Sequence, residues 1–435
     1  MRVLLVIFDG LADRRWPVLG GRTPLEAANT PNMDKLAEAG LTGLMHPLGR
    51  GLAPSSELAH FALFGYPLDL YPGRGVFEAL GHGLELEEGD VAVHLLLSSV
   101  ERANGLLLVK ERPVIAPDET CEELMKAIPE LEFEGLKLKS LFTKSSQGML
   151  LIKGGASKDI TDSDPYYLER PVSSVQPVQS RGDIQIAEKT ARAVSAFLTS
   201  AYQAMDGHPI NERRRMSGER PINFALTKWA GKFGPIPSFE EIAGFKAVSI
   251  CSYPLYKGLA RFLGMTVIDV CKSADPKEDL LKRLKAAERA FAEGFEFLHV
   301  HTKAPDDAGH EKDPLKKKAV LENLDMALGY LFESSLINDD NLIVLTGDHA
   351  TPSGTRLLHS GDPVPILMVG KNAWGDGVSS FGESACLFGG LGQFSGLDLM
   401  PTLLNFTDRI RYLGASLTPK PALYEPKRLP PFIVD

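Results

Sequence analysis

Four largely apolar runs constrain this chain more than any other feature: VLLVIF (Val3–Phe8), AVSIC (Ala247–Cys251), FEFLHVH (Phe295–His301) and NLIVLTG (Asn341–Gly347). A strand that shows apolar side chains on both faces must be covered on both faces. Such runs belong to parallel sheets enclosed by helices. Segments with helical spacing separate or follow them. TPNMDKLAEAG carries Thr-Pro at its start and Gly at its end, as a capped helix does. PKEDLLKRLKAAERAFAEG and PLKKKAVLENLDMALGYLFESS have helical periodicity and mixed charge. The expected fold class is therefore α/β, with a mainly parallel sheet and helices on both faces.

The middle of the chain is patterned differently. Between about Gly81 and Pro237 there are short alternating runs, GLLLVKE and GMLLIKG, turn-like Gly154-Gly155, and one long helical segment, DIQIAEKTARAVSAFLTSAYQAM. This predicts an inserted α+β domain over 81–237, with 1–80 and 238–435 forming the α/β core. The run RRRMSGER (Arg213 to Arg220) is expected as a solvated loop. The Pro-rich end, LTPKPALYEPKRLPPFIVD, is expected as an extended tail.

Composition narrows the function classes. A formal net charge of -9 argues against a nucleic-acid-binding surface. The four cysteines, Cys121, Cys251, Cys271 and Cys386, form no CxxC pair and read as reduced apolar side chains. The first apolar run is too short to span a membrane and ends in Asp. The expectation is a cytoplasmic protein with no membrane or nucleic-acid partner; a homo-oligomer is compatible with the sequence.

The polar residues that stand out share one address. Asp9 follows the first run, Asp306 and His310 follow FLHVH, and Asp348 and His349 follow LIVLTG, with His359 ten positions further on. In open α/β sheets, ligands bind beyond the carboxyl ends of the strands. One Asp after a strand is an ordinary turn residue, but three strand ends bearing acids and imidazoles point to a metal site. Asp and His suit borderline to hard divalent ions. A pair of ions roughly 4 Å apart would clamp both oxygens of a displacement. A nucleophile is offered by GRGLAPSSELAHFALFGY, where Ser55 and Ser56 precede an apolar helical pattern. Ser56 reads either as a helix N-cap or as a nucleophile at a helix N-terminus.

These motifs, FDGLAD, TPLEAANTPNMDKLAEAG, SSELAHFALFGY, GRGVFEALG, DDAGH, TGDHATPS and HSGDPVP, resemble the alkaline phosphatase superfamily, and within it the archaeal-type cofactor-independent phosphoglycerate mutases. The resemblance spans nearly the whole chain. It implies an alkaline-phosphatase-like core with an inserted cap that closes over a small phosphorylated substrate. It implies two divalent ions, Mn or Zn, with Mg or Co as options. Asp9, Ser56, Asp348 and His349 would hold one ion, and Asp306, His310 and His359 the other. Ser56 would be the nucleophile, forming a phosphoserine from which the phosphoryl group returns to the neighbouring hydroxyl of the glycerate. Lys257 resembles the family's phosphate-side lysine, and Arg261 lies four residues on. His60 reads either as orienting Ser56 or as local packing; His299 and His301 alternate with Val300 on a strand, and His301 reads either as a buried, hydrogen-bonded histidine or as facing the site.

The family's substrate-binding arginines match poorly. VAVHLLLSSVE carries His94 and Leu96 where an Arg and an Asn are expected, LLLVKERPV leaves Lys110 and Arg112 as substitutes, and TKWAGK puts Lys228 in place of Arg. Three functions therefore remain open: interconversion of 2- and 3-phosphoglycerate, hydrolysis of another phosphomonoester or phosphonate, and a non-enzymatic metal-binding sensor or structural role.

Overall fold

The computed structural model describes residues 1–179, 182–427 and 429–434. The chain forms two compact units, Met1–Tyr71 with Ile236–Asp435, and Pro72–Pro235. The first unit begins with strands β1 (Arg2–Phe8) and β2 (Leu41–His46). The second holds β3 (Val91–Ala103), β4 (Leu106–Glu111), β5 (Leu131–Phe133), β6 (Leu136–Lys144), β7 (Gln147–Lys153) and β8 (Phe224–Lys232). The first then resumes with β9 (Ala247–Cys251), β10 (Thr266–Asp269), β11 (Phe297–Thr302), β12 (Asn341–Thr346), β13 (Val364–Val369) and β14 (Gly392–Ser395).

The sheet of the first unit runs β10-β9-β11-β1-β12-β13-β2-β14. Only the pairings of β13 with β12 and β2 are antiparallel. The mainly parallel α/β class expected from the apolar runs is what is observed. Val3–Phe8 of β1 are all buried, and each such side chain contributes about 1.5–3 kcal/mol on leaving water. The helices Pro276–Ala292 and Pro314–Leu328 pack against that sheet through Leu280, Leu284, Leu321 and Leu324. Both carry an aspartate N-cap followed by Pro, which explains where they start. The order of the central strands matters most for chemistry. β11 and β12 flank β1 directly, in parallel register Phe8 with Thr302 and Ile7 with Thr346. Three consecutive strands thus end on one rim, and the residues after them meet there.

The second unit is an antiparallel sheet, β4-β3-β7-β6-β5, with β8 pairing opposite β7 along the first half of β3 and β4 pairing its last residues. The long helix Ile184–Asp206 buries Ala187, Ala191, Val194, Phe197, Leu198, Ala201 and Met205 at helical spacing. The unit begins at Pro72, ahead of the position 81 read from the sequence. The reason is the helix Arg74–Gly81, whose Gly75 lies so close to β3 that a Cβ there would stand 2.0 Å from the Ala92 carbonyl oxygen. Arg213–Arg215 lie in the last turn of the helix Pro209–Met216 instead of in a loop. There the cations face the helix C-terminus, where positive charge is favoured, and Arg215 pairs with Asp206. Among the described residues no helix is long and apolar enough to cross a membrane.

Candidate metal and phosphoryl-transfer site

The loop after β1 is Asp9-Gly10-Leu11. Gly10 has φ +67°, and a Cβ on it would stand 2.5 Å from Thr351 Oγ1 and 2.9 Å from the Asp306 backbone. Only glycine lets the three strand ends approach this closely. Gly309 plays the same part beside Thr351, whose carbonyl oxygen would be 2.8 Å from an added Cβ. The glycines of FDG and DAGH are therefore packing requirements of the site.

Two groups of metal-type donors converge: Asp306, His310 and His359; and Asp9, Asp306 and His349. Asp306 faces both. Its Oδ1 lies 3.1 Å from His310 Nε2 and 3.6 Å from His359 Nε2. His349 Nε2 lies 3.2 Å from Asp9 Oδ1, 3.5 Å from Asp348 Oδ2 and 2.9 Å from Ser56 Oγ. Asp9, Asp306, Asp348 and His349 are all fully buried. Ser56 is the first residue of the helix Ser56–Leu63, with Ser55 at the N-cap position. The capping reading of Ser56 is thus replaced by contact with His349. Asp348 stands beside this triad, its Oδ1 accepting from Gly10 N at 3.0 Å and its Oδ2 3.5 Å from His349 Nε2.

The hydrogen bonds decide how the imidazoles are protonated. Thr351 Oγ1 donates to Asp306 Oδ1 at 2.7 Å. Its one proton is used there, so it accepts from His349 Nδ1 at 3.1 Å. His349 Nε2 is then an acceptor, facing the Ser56 hydroxyl at 2.9 Å, whereas Asp9 Oδ1 receives no donor. His359 donates from Nδ1 to the Pro54 carbonyl at 2.7 Å, which frees its Nε2 in the same way. Buried lone pairs that face one another are costly unless a cation lies among them. This donor set fits divalent metal.

Charge balance points the same way. Burial raises the Asp348 carboxyl well above its usual range, and the neighbouring Asp9 carboxylate adds to it. Burial also opposes ionisation of Asp9, but Lys303 and the His301 hydrogen bond outweigh it and hold Asp9 well below the carboxylate range. Asp306 follows the same logic: burial and Asp9 push it up, and His310, His359 and Lys303 bring it down. Lys303 bridges the two acids, 3.3 Å from Asp9 Oδ2 and 2.5 Å from Asp306 Oδ2. His60 is neutral, because burial followed by repulsion from His301 lowers it to about 3. Its Nδ1 donates to the Ser56 carbonyl at 2.8 Å, so it braces the start of the serine helix. His301 is both buried and part of the site, with Nε2 3.1 Å from Asp9 Oδ2. His299 bonds Ser249.

Lys303, Thr351 and Tyr256 were not singled out from the sequence. Each has at least one partner far away in the chain: Asp9 for Lys303 and Tyr256, Asp306 for Thr351. Lys257, which was singled out, has its ammonium 2.5 Å from Asp269 Oδ2, whereas its neighbour Tyr256 donates to Asp9 Oδ2. Arg261 is exposed in the last turn of the same helix.

The second unit carries the remaining cations. Arg112 and Lys228 meet at the buried Asp164: Arg112 pairs with it directly, and Lys228 Nζ lies 3.8 Å away. Lys228 also sits 4.0 Å from the Trp229 ring, over which Arg74 stacks at 3.7 Å. Burial lowers the Lys228 ammonium to about 8 against the partial support of Asp164. Arg112 Nε and His94 Nδ1 are buried without a hydrogen-bond partner. Lys110 stands apart, on Glu169 at 2.8 Å and Glu101 at 3.4 Å.

A family model described as the metalloenzyme superfamily matches residues 1–406. The 2,3-bisphosphoglycerate-independent phosphoglycerate mutase 2 of Methanocaldococcus jannaschii is 38% identical over 435 residues, which cover 98% of each chain. The enzyme of that name from Thermococcus kodakarensis is 35% identical over 420 residues, 95% of this chain and 98% of the relative. Among solved structures, the cofactor-independent phosphoglycerate mutase from Thermoplasma acidophilum superposes with a TM-score of 0.65 at 30% identity, over 93% of this chain and 99% of that one. A protein from Pyrococcus horikoshii does so with 0.78 at 31% identity, over 95% and 99%.

Proposed function

The chain belongs to the metalloenzyme superfamily and, within it, to the 2,3-bisphosphoglycerate-independent phosphoglycerate mutases, and from that premise we propose that it interconverts 2- and 3-phosphoglycerate through a phosphoserine at Ser56. The observation that carries the reading is the position of Ser56 Oγ, 2.9 Å from His349 Nε2, in a buried cluster where Asp9 Oδ1 and Asp348 Oδ2 have no hydrogen-bond partner. We assign two ions, Mn or Zn, to the donors Asp9, Asp348 and His349 and to Asp306, His310 and His359. When bound, such ions lower the proton affinity of the serine and neutralise the transferring group.

In the first transfer the Ser56 Oγ–phosphorus bond forms and the bond from phosphorus to the glycerate oxygen breaks. One proton passes from Ser56 to the departing oxygen. In the second transfer the adjacent glycerate hydroxyl takes the phosphoryl group, and its proton returns to Ser56. His60 braces the serine's own carbonyl, and Thr351 holds the His349 tautomer. The clustered Arg112 and Lys228 are the cations of the second unit that best suit an anionic substrate. Lys110 is already committed to two glutamates. This commitment, and the Arg112 pairing with Asp164, favour hydrolysis as the second reading, since a weakly held glycerate would leave the phosphoserine to water. The reading takes the protein to act in the cytoplasm on a small phosphorylated compound.

Acid-quenching the Mn-loaded enzyme with 3-phosphoglycerate tests the intermediate. Phosphate on the peptide containing Ser56, and its loss in Ser56→Ala, is the expected result. A stable phosphoryl group on another residue would contradict the assignment.

A further inference from the structure

Asp9 presents its two oxygens to different surroundings. Oδ2 is crowded by three donors: the Tyr256 hydroxyl, His301 Nε2 at 3.1 Å and Lys303 Nζ at 3.3 Å. Oδ1 receives none and faces His349 Nε2 at 3.2 Å. A carboxylate ion has two equivalent oxygens, so something outside it must choose which one faces the metal. The donors on Oδ2 make that choice.

Tyr256 is central among the three. Its ring lies 3.7 Å from the His301 ring, centroid to centroid, and 4.9 Å from that of His60. It therefore supplies one donor and pins a second. The side chain is 2% exposed, on the buried face of the helix Pro254–Phe262 with Leu259 and Ala260. A buried phenol needs a polar partner, and this one donates its single proton to a candidate metal ligand. We propose that Tyr256 is a positioning residue: it locks Asp9 by Oδ2, leaves Oδ1 as a one-atom ligand, and so sets metal affinity. The proposal rests on the metal reading given above.

Tyr256→Phe removes the hydroxyl and keeps the ring on His301. Outer partners of ligating side chains typically change metal affinity by about 10–100-fold, and that weakening is expected for Mn(II). The cobalt-substituted variant should show shifted visible absorption bands. At saturating metal, kcat should fall while KM stays within about twofold. The melting temperature of the metal-free protein should be that of the parent, which separates positioning from general packing. Unchanged Mn affinity and cobalt spectrum would overturn the proposal, as would a melting-temperature loss with no spectral change. If Tyr256→Phe does not fold, His301→Gln should weaken Mn binding and shift the same bands; an unaltered spectrum there overturns the proposal. Affinity and spectra are read without substrate, so an enzyme that proves to be a hydrolase leaves this test standing. A parent protein with no cobalt spectrum would instead refute the metal reading.

Discussion

The two units handle charged side chains in opposite ways. In the first, Asp9, Asp306, Asp348 and His349 are fully buried, and two carboxylate oxygens, Asp9 Oδ1 and Asp348 Oδ2, have no donor. In the second, Lys110 and Arg112 each already hold an acid, and Lys228 lies near the acid held by Arg112. A site left unsatisfied by its own protein is built for something from outside. Cations already paired with acids, as Arg112 is with Asp164, must exchange those pairs to bind an anion, although Arg112 Nε itself is left without a partner. On the proposed function, the difference teaches that the metal-type donors are built in, while the second unit's cations would leave substrate affinity and selectivity adjustable.

Substitutions should therefore divide by unit, with rate affected in the first and substrate affinity in the second. The largest effect is expected at the shared ligand. Asp306→Asn removes the carboxylate that faces both donor groups, and kcat should fall on the order of 10³-fold or more. Restoration by excess Mn would break the comparison. Thr351→Val keeps the shape and removes the hydroxyl that orients Asp306 and His349. The expected loss of Mn affinity is about 10–100-fold, read by titration calorimetry.

The second unit is sharpened through pH. Lys228 titrates at about 8, so its charge is complete below that pH and lost as pH rises through it. If it pairs with a substrate anion, kcat/KM, which reports the free enzyme, should drop above pH about 8. Lys228→Arg should remove that limb, because guanidinium stays charged. A limb that persists in Lys228→Arg belongs to another group. The smallest effect is expected at Lys110. It is fully taken up by glutamates near the surface, where such pairs are worth about 1 kcal/mol or less, so Lys110→Ala should leave KM within about twofold.

The legibility of the two units in the sequence differs for a physical reason. A parallel sheet brings all strand ends to one rim, so Asp9, Asp306 and Asp348 could be associated without knowing any contact. Neighbouring strands β11, β1 and β12 then made the association literal. An antiparallel sheet gives no such rim, and whether Lys110 or Lys228 faces Asp164 depends on register and on turns. The second unit starts at Pro72, ahead of the boundary its sequence pattern suggests, because the packing of Gly75 on Ala92 couples residues that are not adjacent in sequence. Tyr256 and Thr351 were missed for a related reason: their partners lie up to 247 positions away. A signal for Tyr256 did exist. It shares helical spacing with Leu259, Ala260 and Leu263, whereas Lys257 is one step around the helix from that buried face.

The most direct measurement gives the Mn-loaded protein 3-phosphoglycerate and follows 2-phosphoglycerate and free phosphate in one reaction, with Ser56→Ala alongside. Conversion to 2-phosphoglycerate without matching phosphate release, lost in Ser56→Ala, is the predicted result. Phosphate release with no 2-phosphoglycerate, or isomerisation that survives Ser56→Ala, would contradict the account.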